Sequence, residues 1–188
     1  MTDLLQAWHT LLARHSSSPR VDDVGASLLG RWAEPHRSYH DLSHLRGILS
    51  GVDALEEFAD DPDAVRLAAW YHDAVYAGQS DDEENSALLA ESDLTDLGVD
   101  PAFVAEVGRL VRVTIAHDPA ADDHNGQVLS DADLAVIDVT PDGLVAVTRT
   151  VAAPPSATGA TGATTTPGAT FTTDTGRVVS VNPPSLSS

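Results

Sequence analysis

The 188 residues are enough for one domain with a real core, and they carry 29 acidic against 10 basic side chains for a formal charge of -19. That balance argues against a basic surface for nucleic acid, and the absence of Cys excludes disulfides, iron–sulfur clusters and thiolate chemistry. No basic flank with an apolar run follows Met1, and no stretch approaches the roughly 18 apolar residues of a membrane span, so a cytoplasmic protein without membrane or nucleic-acid partners is expected.

Residues up to about 140 read as seven helices separated by short breaks. Leu4, Leu5, Trp8, Leu11 and Leu12 recur at helical spacing, as do Val24, Leu28, Leu29 and Trp32 before the break at Glu34-Pro35. A third apolar face runs Leu42, Leu45, Ile48, Leu49, Val52, with His40 and His44 expected one turn apart on it. Pro62 suits the first turn of a fourth helix, predicted to continue through His72-Asp73 until Gly78. Asp81 to Glu84 complement the positive N-terminus of a fifth helix. Asp100-Pro101 reads as a cap and first residue of a sixth, and a seventh spans Val128 to Ile137. No period-2 strand precedes Asp138, so an all-α bundle is predicted over 1–140.

From about 141 the composition changes. Residues 151–188 hold two charged side chains, Asp174 and Arg177, against nine Thr and many Ala, Pro, Gly and Ser. Such a segment cannot bury enough apolar surface to offset its ordering cost, so a low-complexity, disordered tail over 141–188 is the expectation. A tail translated out of frame is a second reading, because a one-base shift in GC-rich DNA converts Ala, Thr, Gly and Pro codons into Arg, Asp and Ala codons.

The residues with chemistry to offer are His40, His44, His72-Asp73 and Asp131-Ala132-Asp133. Imidazole with carboxylate suits a divalent ion such as Zn, Mn, Fe, Ni or Mg. A His-Asp pair between Trp70-Tyr71 and Ala74-Val75-Tyr76 is costly to bury without a partner, and a metal would supply one. His9, His15 and His36 have no partner at useful spacing and read as structural, and His124 lies in an acidic, solvated loop.

The order of these motifs resembles the HD superfamily of metal-dependent phosphohydrolases. Tyr39-His40 with His44, Trp70-Tyr71-His72-Asp73-Ala74-Val75-Tyr76, Asp81 to Ala87, Thr114 with His117, and Leu129 to Leu134 resemble a subgroup carrying a Tyr-His-x-x-x-His signature. The resemblance covers roughly residues 37–137. It implies a helical bundle with the metal at its centre and hydrolysis of a small phosphate ester, possibly a nucleotide. It further implies His44, His72, Asp73 and Asp133 as metal ligands, with Asp131 the fallback for Asp133 and His40 supporting a ligand or facing substrate. Three residues are candidates for catalysis. His117 would bind substrate or a further ion, or else cap a helix. Glu83 would act as general base, or else complement a helix terminus. Arg37 would contact a substrate phosphate, or else form a structural ion pair. The rival reading is a non-catalytic regulatory protein that binds metal or nucleotide. Oligomeric state is not legible.

Overall fold

Apolar spacing, caps and prolines lay out seven helices in the computed structural model, which describes residues 2–134 and, beyond them, the backbone of four short strands. The helices are α1 Thr2–Leu12, α2 Val21–Trp32, α3 Leu42–Leu55, α4 Pro62–Tyr71, α5 Asp82–Asp96, α6 Pro101–Val113 and α7 His124–Leu134, with a 3-10 turn Glu56–Phe58 after α3. The chain divides into two compact units, Met1–Asp133 and Leu134–Ser188. The described residues of the first are all-helical, as the apolar periodicity predicts.

Caps start several of these helices as the sequence suggests. The Asp100 carboxylate accepts from the backbone N–H groups of Ala102 and Phe103, with Pro101 in the first turn. Asp61 does the same for Ala64 ahead of Pro62. Each such cap satisfies a donor that the helix leaves open, worth about 1 kcal/mol.

The core sits around α4, which packs against α3, α5 and α6. Seven of its ten residues are buried, Ala68 and Ala69 letting neighbours approach and Trp70 and Tyr71 filling the space beside them. Trp8 meets Trp70 edge-on at 5.3 Å and Tyr71 at 6.0 Å. Gly25 permits the α1–α2 crossing, since a Cβ there would stand 2.3 Å from Trp8 Cδ1. The Trp8 indole N–H donates to the Val21 carbonyl and that of Trp32 to the Trp70 carbonyl. The half-exposed edge of α4 carries Arg66, paired with Asp53, Glu56 and Asp63.

Two expectations change. His40 is not on α3, because Asp41 caps that helix by accepting from Ser43 and His44 N–H. His40 and His44 therefore do not share a helical face. The fourth helix ends at Tyr71 rather than near Gly78, so His72 is its C-terminal cap residue and Asp73 begins the following turn.

The end predicted for α7, at Val136 and Ile137, lies outside the described residues, as does most of the predicted tail. In the second unit the backbone pairs Asp138–Val139 (β1) with Val145–Ala146 (β2), and Ala169–Thr172 (β3) with Val178–Val181 (β4), both antiparallel. The sequence reading assigned no strand here; the β-branched residues Val178, Val179, Val181, Thr170 and Thr172 suit one.

Candidate metal centre

Four segments bring donors to one place. Asp41 fixes the start of α3 and so aims His44 inward. The end of α4 supplies His72 and Asp73. The close of α7 supplies Asp133, and α7 reaches α3 because Ala132 sits over Gly51, where a Cβ would lie 3.0 Å from the Ala132 Cβ. The turn after α6 supplies His117.

His44 Nε2 lies 3.2 Å from His72 Nε2 and 3.2 Å from Asp133 Oδ1. His72 Nε2 lies 3.1 Å from Asp73 Oδ2 and 3.5 Å from Asp133 Oδ1. His44 Nε2 stands 3.9 Å from Asp73 Oδ2. Donors about 2.1 Å from one ion are spaced about 3.0 Å at a right angle and about 3.4 Å at the tetrahedral angle. The edges among His44, His72 and Asp133 fall around those values, so these three groups fit a divalent ion, and Asp73 stands against the same two imidazoles. His72 also has the tautomer a ligand needs: its Nδ1 donates to the Ala69 carbonyl at 2.9 Å, which leaves the Nε2 lone pair toward the other donors.

The charges in this cluster depend on one another. Burial alone would lower the pKa of His72, but Asp73 and Asp133 beside it drive it well up. Burial alone would raise both carboxylates, yet His72, with His44 at Asp133, holds each below the usual range. For His40, burial dominates over the attraction of Asp73 and lowers the pKa. Buried carboxylates and imidazoles that neutralise one another with a proton are the groups from which a metal ion displaces that proton.

A cavity of about 210 Å³ opens on the cluster, lined by His40, His72, Asp73, Tyr76, Gly78, Gln79, Asp82, Glu83, Thr114, His117 and Asp133. Among the described residues it has no Arg in its wall. Two buried ring nitrogens, His40 Nδ1 and His117 Nδ1, have no hydrogen-bond partner there. Such atoms are rare in a finished core and collect where a ligand binds.

His117 lies in the turn after α6 and lines the cavity. Its backbone, at φ +50°, is left-handed and closes the helical segment by donating to the Val113 carbonyl. Its Nε2 reaches to 3.5 Å from Asp133 Oδ2. A left-handed non-glycine residue stores about 1 kcal/mol or more, commonly at functional positions. Glu83 lines the cavity, and among the described residues no hydrogen bond or ion pair engages its carboxylate. Its neighbour Glu84 faces away to Arg112.

Arg37 is corrected from a phosphate contact to a structural role. Its side chain is fully buried and absent from the cavity wall. The guanidinium donates to the carbonyls of His40, Asp73 and Ala74 and to Glu34, between the rings of Trp32 and Tyr76. It thus satisfies carbonyls left open beyond the end of α4 and ties the His40 segment to the His-Asp turn. Asp131 belongs to neither of the donor groups that meet, whereas Asp133 does. His9, His15 and His36 pair with Asp22, Asp63 and the Tyr76 carbonyl from other segments, away from the donor cluster. His124, expected in a loop, is the first residue of α7.

Sequence reading missed Asp82 and Tyr76. One oxygen of Asp82 accepts from the backbone N–H groups of Ala77, Gly78 and Gln79, clamping the cavity rim to α5. Gly78, at φ +73°, was the available signal for that turn.

No protein-family model matches the chain, and neither the curated proteins nor the solved structures contain a match. Among the described residues no helix is long and apolar enough to cross a membrane.

Proposed function

We propose that this chain is a cytoplasmic, HD-type metal-dependent phosphohydrolase acting on a small phosphate ester. The observation that carries the reading is the meeting of His44, His72 and Asp133 donor atoms within 3.2–3.5 Å of one another beside a cavity, with Asp73 3.1 Å from His72. The motif order His, His-Asp, Asp supports it.

His44, His72, Asp73 and Asp133 would hold the ion. When bound, a divalent metal polarises a phosphoryl oxygen and acidifies water. The remaining steps fall to the side chains around it. Glu83, unengaged and facing the cavity, accepts the proton of the attacking water as its oxygen bonds to phosphorus. The ester P–O bond breaks, and His117, which lines the cavity, would supply the proton to the departing alkoxide. Arg37 keeps the Asp73 backbone in place from behind. With several carboxylates and no Arg in the described cavity wall, attraction for a phosphate depends on the ion.

The test is phosphate release by the full chain from phosphomonoesters and nucleotides, with and without added Mn, Mg, Ni, Zn or Fe. Metal-dependent release that vanishes in Asp73→Ala is the expected result. A protein that takes up metal stoichiometrically and releases phosphate from nothing on the panel would overturn the hydrolase reading and leave the regulatory one.

A further inference from the structure

We propose that the cavity selects the phosphate ester of a small alcohol bearing an ammonium group, with Asp82 and Thr114 receiving the ammonium. The proposal rests on the hydrolase reading above and adds the class of substrate; water is the only co-reactant, and the products are phosphate and the amino alcohol. The cavity, at about 210 Å³, is smaller than the roughly 300–1,000 Å³ of pockets that enclose drug-sized ligands, so a chain of a few carbons fits and a nucleoside protrudes. Asp73, Asp82, Glu83 and Asp133 line it, no Arg does among the described residues, and the chain contains no Lys. A divalent ion offsets two of those four carboxylate charges. A phosphate dianion on a neutral alcohol therefore meets a wall that stays anionic, and an ammonium on the alcohol supplies the complementary charge.

Asp82 is a buried group with bonding capacity to spare. It is 7% exposed and lines the cavity, and its Oδ2 is fixed by the N–H groups of Ala77, Gly78 and Gln79 at 2.7–3.0 Å. Its Oδ1 makes no hydrogen bond among the described residues. A carboxylate oxygen accepts and cannot donate, so a ligand atom that meets it has to be a donor. Thr114, also buried in the cavity wall, selects in the same sense. Its hydroxyl donates to the Val111 carbonyl at 2.7 Å, which leaves lone pairs alone for a ligand. An ammonium, with donors and positive charge together, satisfies both.

The experiment compares 2-aminoethyl phosphate, 2-hydroxyethyl phosphate and adenosine monophosphate on the full chain with Mn²⁺. Phosphate release gives KM for a probe that turns over, and titration calorimetry gives Kd for one that does not. The native chain should take the amino ester at least about tenfold more tightly than the hydroxy ester, the worth of one charge-assisted hydrogen bond. Asp82→Asn keeps an oxygen for the three amides and turns the open acceptor into a donor, so it should bring that ratio close to one. Thr114→Val should lower the ratio by a smaller factor, and it decides the matter if circular dichroism shows Asp82→Asn unfolded. Equal binding of the two small esters, tighter binding of the nucleotide, no binding of any probe, or an unchanged ratio in the folded variants would each overturn the proposal. Cleavage of both small esters at equal rates would do so while leaving the hydrolase reading intact. Selective binding of the amino ester with no phosphate released from any probe would support the cavity's preference and remove the hydrolase reading instead.

Discussion

The C-terminal end of α4 faces two different environments, although Trp70-Tyr71 and His72-Asp73 are consecutive. On the tryptophan side the Trp8 and Trp32 indole N–H groups each have a carbonyl, the Tyr71 hydroxyl donates to Asp93, and the rings of Trp8, Trp70 and Tyr71 interlock. On the histidine side, ring nitrogens of His40 and His117 are left open, and imidazoles crowd carboxylates around a cavity. The first region is closed by bonds internal to the protein. The second leaves bonding capacity for something else, and that contrast marks the site more clearly than any one residue does.

The contrast can be broken most forcefully by Trp70→Ala, which removes a side chain 1% exposed and should cost about 3–5 kcal/mol in urea unfolding. A loss below about 1 kcal/mol would mean that the tryptophan cluster is not the structural centre.

The next effect belongs to the histidine side. A metal ion at one hundred times its dissociation constant should raise the unfolding free energy by about 2.7 kcal/mol. That increment should vanish in His72→Ala and in Asp133→Asn but persist in Asp131→Asn, whose side chain lies about 200° round the helix from Asp133. Metal-induced stabilisation retained by Asp133→Asn would show that α7 contributes no ligand through that residue.

The smallest effect sharpens the tryptophan side. Burial, reinforced by the charge of Asp93, pushes the Tyr71 phenol well above its ordinary value of 10.0. A raised phenol pKa means that the folded state binds the proton more tightly than the unfolded one. The resulting stability is fully present below pH 10 and declines as pH rises toward the folded value. Tyr71→Phe should therefore cost about 1 kcal/mol at neutral pH and flatten the alkaline fall in melting temperature above pH 10. A fall as steep in Tyr71→Phe as in the native chain would assign it to other groups.

Much of this was legible because it is local. Apolar spacing located all seven helices, and Asp100-Pro101 announced a start that the backbone confirms. The set His44, His72, Asp73 and Asp133 came from the family resemblance of the motif order, since residue spacing alone did not single it out. What was hidden is contact between distant segments. The i, i+4 spacing of His40 and His44 suggested one helical face, but Asp41 between them competes as a cap and wins. Arg37 looked available for phosphate because nothing local reveals that Trp32 and Tyr76 enclose it while carbonyls 36 and 37 residues away consume its donors. Asp82 read as one more acid at a helix start, and its grip on three loop amides appears only once the loop folds back.

Gly51 carries no functional group, stands two turns along α3 from His44, and still belongs to the centre. Only its hydrogen atom lets Ala132 settle against α3, one residue before Asp133 reaches His44. Coordination distances tolerate deviations of about 0.2 Å, while a methyl group at position 51 would force a few tenths of an ångström between the helices. The bore of the site is thus gauged by a missing methyl, and a substitution scan confined to residues that bear heteroatoms would pass over one of the positions that set which ion fits.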